Sequence, residues 1–122
     1  MQDENSTRTE LSELGEFRLI DHLTKGIVSH NTSTIFGIGD DATVIDNGTK
    51  HTLVSTDLLI ENVHFDLSFT PLKHLGYKTA SVNFSDIAAM NGTPRQLLIG
   101  LSVSNRFSVE ALDEFYAGLR IA

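Results

Sequence analysis

Apolar side chains along this chain recur first at helical and then at strand-like spacing, and the change of period marks out its elements. Residues 1–14 are polar for most of their length and lack a sustained period, which predicts a flexible arm. From Gly15 the pattern changes. Phe17, Ile20, Leu23 and Ile27 follow at three- and four-residue steps, with Glu16 near the positive end of the dipole, so an amphipathic helix is expected over 15–29. Asn31 to Ser33 reads as a turn, and Ile35 to Gly39 as a short glycine-flanked strand closing on Gly39-Asp40-Asp41. Ala42 to Ile45 and Thr52 to Thr56 are expected as strands around Asp46-Asn47-Gly48-Thr49, since Asn-Gly is a strong hairpin signal. Leu58 to Ile60 is a candidate extension of the second strand.

A second helix is signalled by Thr70 as cap, Pro71 at the first helical position, and Leu72, Leu75, Thr79 and Val82 behind them. It is expected to run to Met90 and stop at Asn91-Gly92, with Pro94 preventing a restart and Asn83 to Ser85 as the place for any break. Gln96 to Ser104 alternates as a strand, interrupted by Leu98. Ser108 then caps a last helix carrying Leu112, Phe115, Tyr116 and Leu119. The order helix, strands, helix, strand, helix implies an α/β fold, a mixed or antiparallel sheet with helices packed on it.

Composition narrows the chemistry. At 122 residues there is room for one α/β domain and not two. Nine basic against sixteen acidic side chains give a formal charge of −7, which argues against a nucleic-acid surface and suits a site that recruits cations. With no cysteine, disulfides and thiolate metal sites are excluded. The opening residues lack the basic-then-apolar order of a secretory signal, and no apolar run nears the roughly 20 residues that span a bilayer. A cytoplasmic location without membrane contact is the expectation. Leu112 to Ala122 ends as a helix without a polar tail, so the chain is expected to be part of a longer protein.

Three acidic positions lie at the ends of apolar elements: Asp40-Asp41, Asp57 after Val54-Ser55-Thr56, and Asp86 among Val82, Ile87, Ala88 and Ala89. Hard Mg²⁺ takes carboxylate, hydroxyl and phosphate oxygens, and carboxylates from separate loops provide such a set, with Ser55 and Thr56 as further donors. Each aspartate also has a plain structural reading as a turn, cap or strand-end residue. Gly37 and Gly39 would allow a phosphate close to the backbone, yet Gly-Ile-Gly-Asp-Asp is neither a P-loop nor a dinucleotide fingerprint. His64 could contact an anionic substrate group, orient a carboxylate, or serve the fold alone. The five histidines have no zinc-ligand spacing, and no serine-nucleophile elbow is present.

Four stretches resemble the thiamine-monophosphate kinase family of the aminoimidazole ribonucleotide synthetase-like superfamily. They are Gly15-Glu-Phe-Arg-Leu-Ile20, Gly37-Ile-Gly-Asp-Asp41, Leu53-Val-Ser-Thr-Asp57 continuing to Val63-His-Phe65, and Val82-Asn-Phe-Ser-Asp-Ile-Ala-Ala-Met90 with Pro94. The resemblance implies that residues 15–122 are an N-terminal ATP- and Mg²⁺-binding and dimerisation domain of a homodimeric enzyme. That enzyme would move the γ-phosphoryl of ATP to thiamine monophosphate, giving thiamine diphosphate and ADP. By motif, Asp41, Ser55, Thr56, Asp57 and Asp86 would match magnesium ligands, with Asp40 beside them. His64 would match a substrate contact, and Asp40 and Tyr116 would match cofactor contacts, Tyr116 with the nucleotide. No residue is assigned as acid or base.

Two asparagines depart from the family pattern, Asn62 and Asn91, each where glycine is common. Asparagine tolerates left-handed backbone, so both turns are expected to persist. The family's Gly-Gly-Asp-Thr segment and C-terminal domain have no counterpart in these residues, so this chain by itself is expected to be inactive. Other readings are a different ATP-dependent enzyme of the superfamily or, for this chain, a non-catalytic dimerisation or metal-binding module.

Overall fold

Glycine and asparagine at left-handed positions punctuate the chain, and apart from Gly15, which kinks the first helix from within, they fall outside the regular elements. A computed structural model describes residues 10–122. Among these, α1 spans Leu11–Thr24, β1 Thr34–Phe36, β2 Thr43–Asp46, β3 His51–Val54, α2 Leu72–Ala89 and α3 Val109–Ile121. The chain divides into two compact units, one ending at Thr32 and one running from Ser33 to Ala122.

The first unit contains α1. Gly15 has φ 71° inside this helix, so one turn from Leu11 precedes a kink and the regular helix proceeds from Glu16. The helix therefore starts earlier than the apolar period indicates. It also ends earlier, at Thr24 and not residue 29, because Gly26 takes φ 93°. Of the arm expected over residues 1–14, residues 1–9 lie outside the described residues and 11–14 are helical.

The second unit is an antiparallel sheet of order β1-β2-β3 followed by two packed helices. The β2–β3 pairing runs from Thr43 opposite Val54 to Asp46 opposite His51. Its turn is the expected Asn-Gly hairpin: the Asn47 amide donates to the Lys50 carbonyl (3.0 Å), and Gly48, at φ 86°, donates to the Asp46 carboxylate (2.8 Å). The side-chain amide of Asn47 also donates to the Thr52 hydroxyl.

Helix α2 runs 18 residues without a break at Asn83 to Ser85. Pro71, not Thr70, is its N-cap, and no side chain caps it. Thr70 instead belongs to the turn at Asp66, whose carbonyl takes the Thr70 amide (2.9 Å) and whose carboxylate takes the Ser68 amide (2.8 Å). The Ser68 hydrogen bonds hold the Asp66 carboxyl below its ordinary pKa. At the far end, Asn91 at φ 57° donates to Ala88 and Gly92 to Ile87, each at 2.9 Å. These are the two bonds of a Schellman stop, with asparagine in the left-handed place. A Cβ on Gly92 would lie 2.4 Å from Leu53 of β3, so this stop also seats the helix end against the sheet.

Helix α3 begins at Ser108, whose hydroxyl accepts from the Ala111 amide (3.2 Å) as the sequence indicates. It crosses α2 through two glycines. A Cβ on Gly76 would stand 1.9 Å from the Phe115 carbonyl oxygen, and one on Gly118 would stand 1.9 Å from that of Lys73. Ala80 (0 % exposed) and Phe115 (5 %) are buried in this unit, along with Leu75 and Ala42.

One expected strand and one candidate strand extension are absent. Leu58 to Ile60 does not extend β3, and Gln96 to Ser104 has no regular secondary structure. A strand needs a neighbour to take its amides, and no other described segment pairs with 96–104. Leu98 is 97 % exposed there. The fold class itself, an α/β arrangement with an antiparallel sheet and packed helices, is as the pattern of elements predicts.

Candidate functional site

The acidic residues singled out in the sequence fall at strand ends and on the α2 face turned toward them. Gly39, at φ 119°, lets the chain turn sharply after β1, in a conformation costly for any residue with a Cβ. The Thr43 hydroxyl closes this turn on the Gly37 carbonyl (3.1 Å), and Asp40 accepts the Asp41 amide on its own carboxylate (2.9 Å). Asp40 therefore has a local turn role. Asp41 is delivered to the end of β3.

Ser55 follows β3 and ties three segments together. Its hydroxyl lies 2.8 Å from the Asp41 carbonyl oxygen and 2.9 Å from Oδ2 of Asp86. One hydroxyl proton thus faces two acceptors, and it can satisfy only one of them fully. Asp86 is half-buried near the C-terminal end of α2, where the helix dipole is negative and no basic residue occupies the last turn. Both features leave negative charge under-compensated.

Asp57 adds to it. Partial burial pushes its carboxyl above the ordinary value, the Asp86 charge pushes the same way, and His64 in its charged form pulls it back down. The Asp57 amide donates to the Asn83 side-chain carbonyl (3.1 Å), and the Asn83 amide group donates to the Thr79 carbonyl (2.9 Å). His64 accepts the Ile60 amide on Nδ1 (3.0 Å), which puts the proton of the neutral ring on Nε2. The turn that carries it uses Asn62 at φ 62°, the left-handed conformation anticipated for that asparagine.

Asp57, His64 and Lys78 line a cavity of about 120 Å³, with Leu58, Leu59 and Val82 as its apolar wall. The Lys78 ammonium donates to the His64 carbonyl. Neither Lys78 nor Asn83 is evident as a site residue from the sequence. The signal available for Asn83 is its helical spacing from Thr79 and Asp86, which puts all three near one face.

Not all the candidates converge. Thr56 is exposed beside Ser55. Tyr116 lies on α3, 41 % exposed, with its ring edge-on to Phe115 at 5.8 Å, and is outside the cavity lining. Among the described residues no three His, Asp or Glu side chains are gathered closely enough to hold a metal ion by themselves. The donor set still suits Mg²⁺, which commonly takes one or two carboxylates and completes its shell with water and substrate phosphates. Asp57 and Asp86, mutually repelling and backed by a hydroxyl, are such a pair.

Comparison with known proteins places the chain in a family. Residues 39–122 match the family model of the AIR synthase related protein, N-terminal domain. The thiamine-monophosphate kinase of Aquifex aeolicus (strain VF5) is 39 % identical over 112 residues, 92 % of this chain and 34 % of that protein. That of Bacillus subtilis (strain 168) is 37 % identical over 109 residues, 87 % of this chain and 33 % of that protein. The solved structure of AaThiL complexed with AMPPCP and TMP superposes with a TM-score of 0.77 at 36 % identity, covering 95 % of this chain and 35 % of that one. The chain thus spans about a third of the length of these relatives. No helix among the described residues is long and apolar enough to cross a membrane. The chain belongs to the AIR synthase related family and carries its N-terminal domain, of the kind found in thiamine-monophosphate kinases.

Proposed function

We propose that the full-length protein carrying this chain transfers the γ-phosphoryl group of ATP to thiamine monophosphate, giving thiamine diphosphate and ADP, and depends on Mg²⁺. The observation that carries this reading is the meeting of Asp41, Ser55, Asp57 and Asp86 where β3 ends against α2. It is supported by the likeness to thiamine-monophosphate kinases and to a structure holding AMPPCP, a methylene analogue of ATP, together with TMP.

Asp41, Ser55, Thr56, Asp57 and Asp86 would hold the metal, with Asp40 shaping the turn beside them. When bound, Mg²⁺ neutralises phosphate charge and stabilises the transferring group. The carboxylates need no proton-transfer role, because the acceptor is already a phosphate oxyanion. His64, protonated on Nε2, would donate to an acceptor oxygen, and Tyr116 would contact the nucleotide. The remaining ligands would come from parts of the protein beyond this chain, so these 122 residues alone are inactive in this reading. A homodimer acting in the cytoplasm belongs to the same proposal.

The test is thiamine diphosphate formation by the full-length protein supplied with ATP, Mg²⁺ and thiamine monophosphate. Asp57→Asn should lower turnover at saturating ATP by about 100-fold or more. Near-normal turnover would remove Asp57 from its role. ATP consumption with another acceptor, and none with thiamine monophosphate, would move the assignment elsewhere in the family.

A further inference from the structure

The segment from Asp57 to His64 carries two of the groups assigned above, yet it has no strand partner over most of its length. Its order comes from within and from α2. Internally, the Ile60 amide donates to His64 Nδ1, and the Ile60 carbonyl takes the amides of Val63 (3.2 Å) and His64 (2.9 Å). The Asn62 amide donates to the Phe65 carbonyl (2.7 Å), closing the turn. Leu58 and Val63 are exposed, so apolar burial does little to hold the segment down.

We propose that Asn83 and Lys78 are positioning residues that clip the two ends of this loop to α2, Asn83 through the Asp57 amide and Lys78 through the His64 carbonyl. Asn83 suits the task because both ends of its amide are used. Its carbonyl holds Asp57, and its NH₂ group is committed to Thr79 one turn back. A flip would cost both bonds. Lys78 reaches the other end of the loop from a position five residues earlier, about 7.5 Å along the helix axis. A charged donor to a carbonyl makes one of the stronger hydrogen bonds available at a surface.

The arrangement sets how the site is assembled. Asp86 sits on the same helix as both clips, so the loop is registered against the residue it must work with. Asp57 is then held near Asp86 despite their repulsion, and His64 keeps its place in the cavity lining. Thr79, Asn83 and Asp86 recur at steps of four and three, so a rotation of α2 would move them together.

The structural part of this inference is independent of the proposed reaction; only its kinetic arm rests on it. Amide hydrogen exchange would be measured on the full-length protein and on the Asn83→Ala, Lys78→Met and Lys78→Arg variants. Asn83→Ala should speed exchange of the Asp57 amide about tenfold, and Lys78→Met that of the Ile60 and His64 amides by a similar factor. Amides of α2 and α3 should be unchanged, and Lys78→Arg, which keeps a charged donor, should restore protection. Unchanged loop exchange in both Asn83→Ala and Lys78→Met overturns the proposal. Acceleration throughout α2 and α3 also overturns it, since it marks a general structural role.

In kinetics, Lys78→Met should raise KM for the phosphate acceptor about tenfold with kcat nearly kept, and Lys78→Arg should recover it. A faster-exchanging loop with unaltered KM and kcat would overturn the positioning role. Absence of phosphoryl transfer in the unmodified protein would defeat the functional reading alone, and the exchange data would still decide for or against the clip.

Discussion

Helix α2 has two working faces, and they are built on opposite principles. Toward α3 it presents Gly76 and brings the two backbones together until no Cβ fits. Toward the strand ends it presents Lys78, Thr79, Asn83 and Asp86, which hold their neighbours through single hydrogen bonds around opposed carboxylates. The first face is closed by contact and tolerates almost no change. The second is left with negative charge to spare, which is the feature on which the proposed Mg²⁺ site rests. Rigidity on one side allows electrostatic strain on the other.

The most damaging change should fall on the packed face. By helix propensity alone Gly76→Ala would stabilise α2 by about 1 kcal/mol. Because the new methyl would collide with the Phe115 carbonyl, we expect a net loss of about 3 kcal/mol in urea titration. A stabilised Gly76→Ala variant would mean that the crossing is looser than described. Adding Gly118→Ala should cost less than the sum of the two single changes, since either one already opens the same crossing.

On the site face, Ser55→Ala should cost about 1.5 kcal/mol without metal, because Asp86 and the Asp41 carbonyl lose their shared donor. Part of that loss should return with added Mg²⁺ if the cation takes over the compensation. Equal losses with and without Mg²⁺ would separate Ser55 from the metal site. Ser108→Ala is a control at the α3 end, far simpler in cause: loss of one cap bond, about 1 kcal/mol, independent of Mg²⁺.

The smallest effect is a pH slope. In metal-free protein the Asp57 carboxyl titrates above its ordinary value of 3.8, so just above that value the folded state holds a proton the unfolded chain has released. This group's contribution to stability therefore falls as pH rises through the window. Asp86→Asn removes one cause of the shift and should flatten the slope. A steeper slope in that variant would reverse the assigned electrostatics.

The contrast between the faces also explains what could be read without coordinates. The Asn47-Gly48 hairpin, the Ser108 cap and the left-handed Asn62 and Asn91 follow from local chemistry, which a sequence states openly. Asp41, Ser55, Asp57 and Asp86 were legible as candidates because their carboxylates and hydroxyl end apolar segments. The α2–α3 crossing was not legible, because Gly76 and Gly118 look like weak points until the opposing backbone is present. Thr70 departs from its expected cap position for a similar reason: the Asp66 turn claims it before the helix can. Gln96 to Ser104 has strand-like alternation, but alternation without a pairing partner does not make a ladder. Lys78 and Asn83 depend on a loop that returns from elsewhere in the chain, and no local pattern announces that.

The stop at the end of α2 has a consequence for chemical ageing. Asn91-Gly92 is the kind of dipeptide in which the glycine nitrogen attacks the preceding side-chain amide, forming a succinimide that opens to aspartate or isoaspartate. Here that nitrogen is occupied by the Ile87 carbonyl, and the pair is fixed in a turn whose Gly92 abuts Leu53. Deamidation at Asn91 therefore requires the helix end to open first. Its rate, followed by mass spectrometry during storage, should report how often α2 frays from its C-terminus, making this asparagine a slow clock for the integrity of the helix that organises the site.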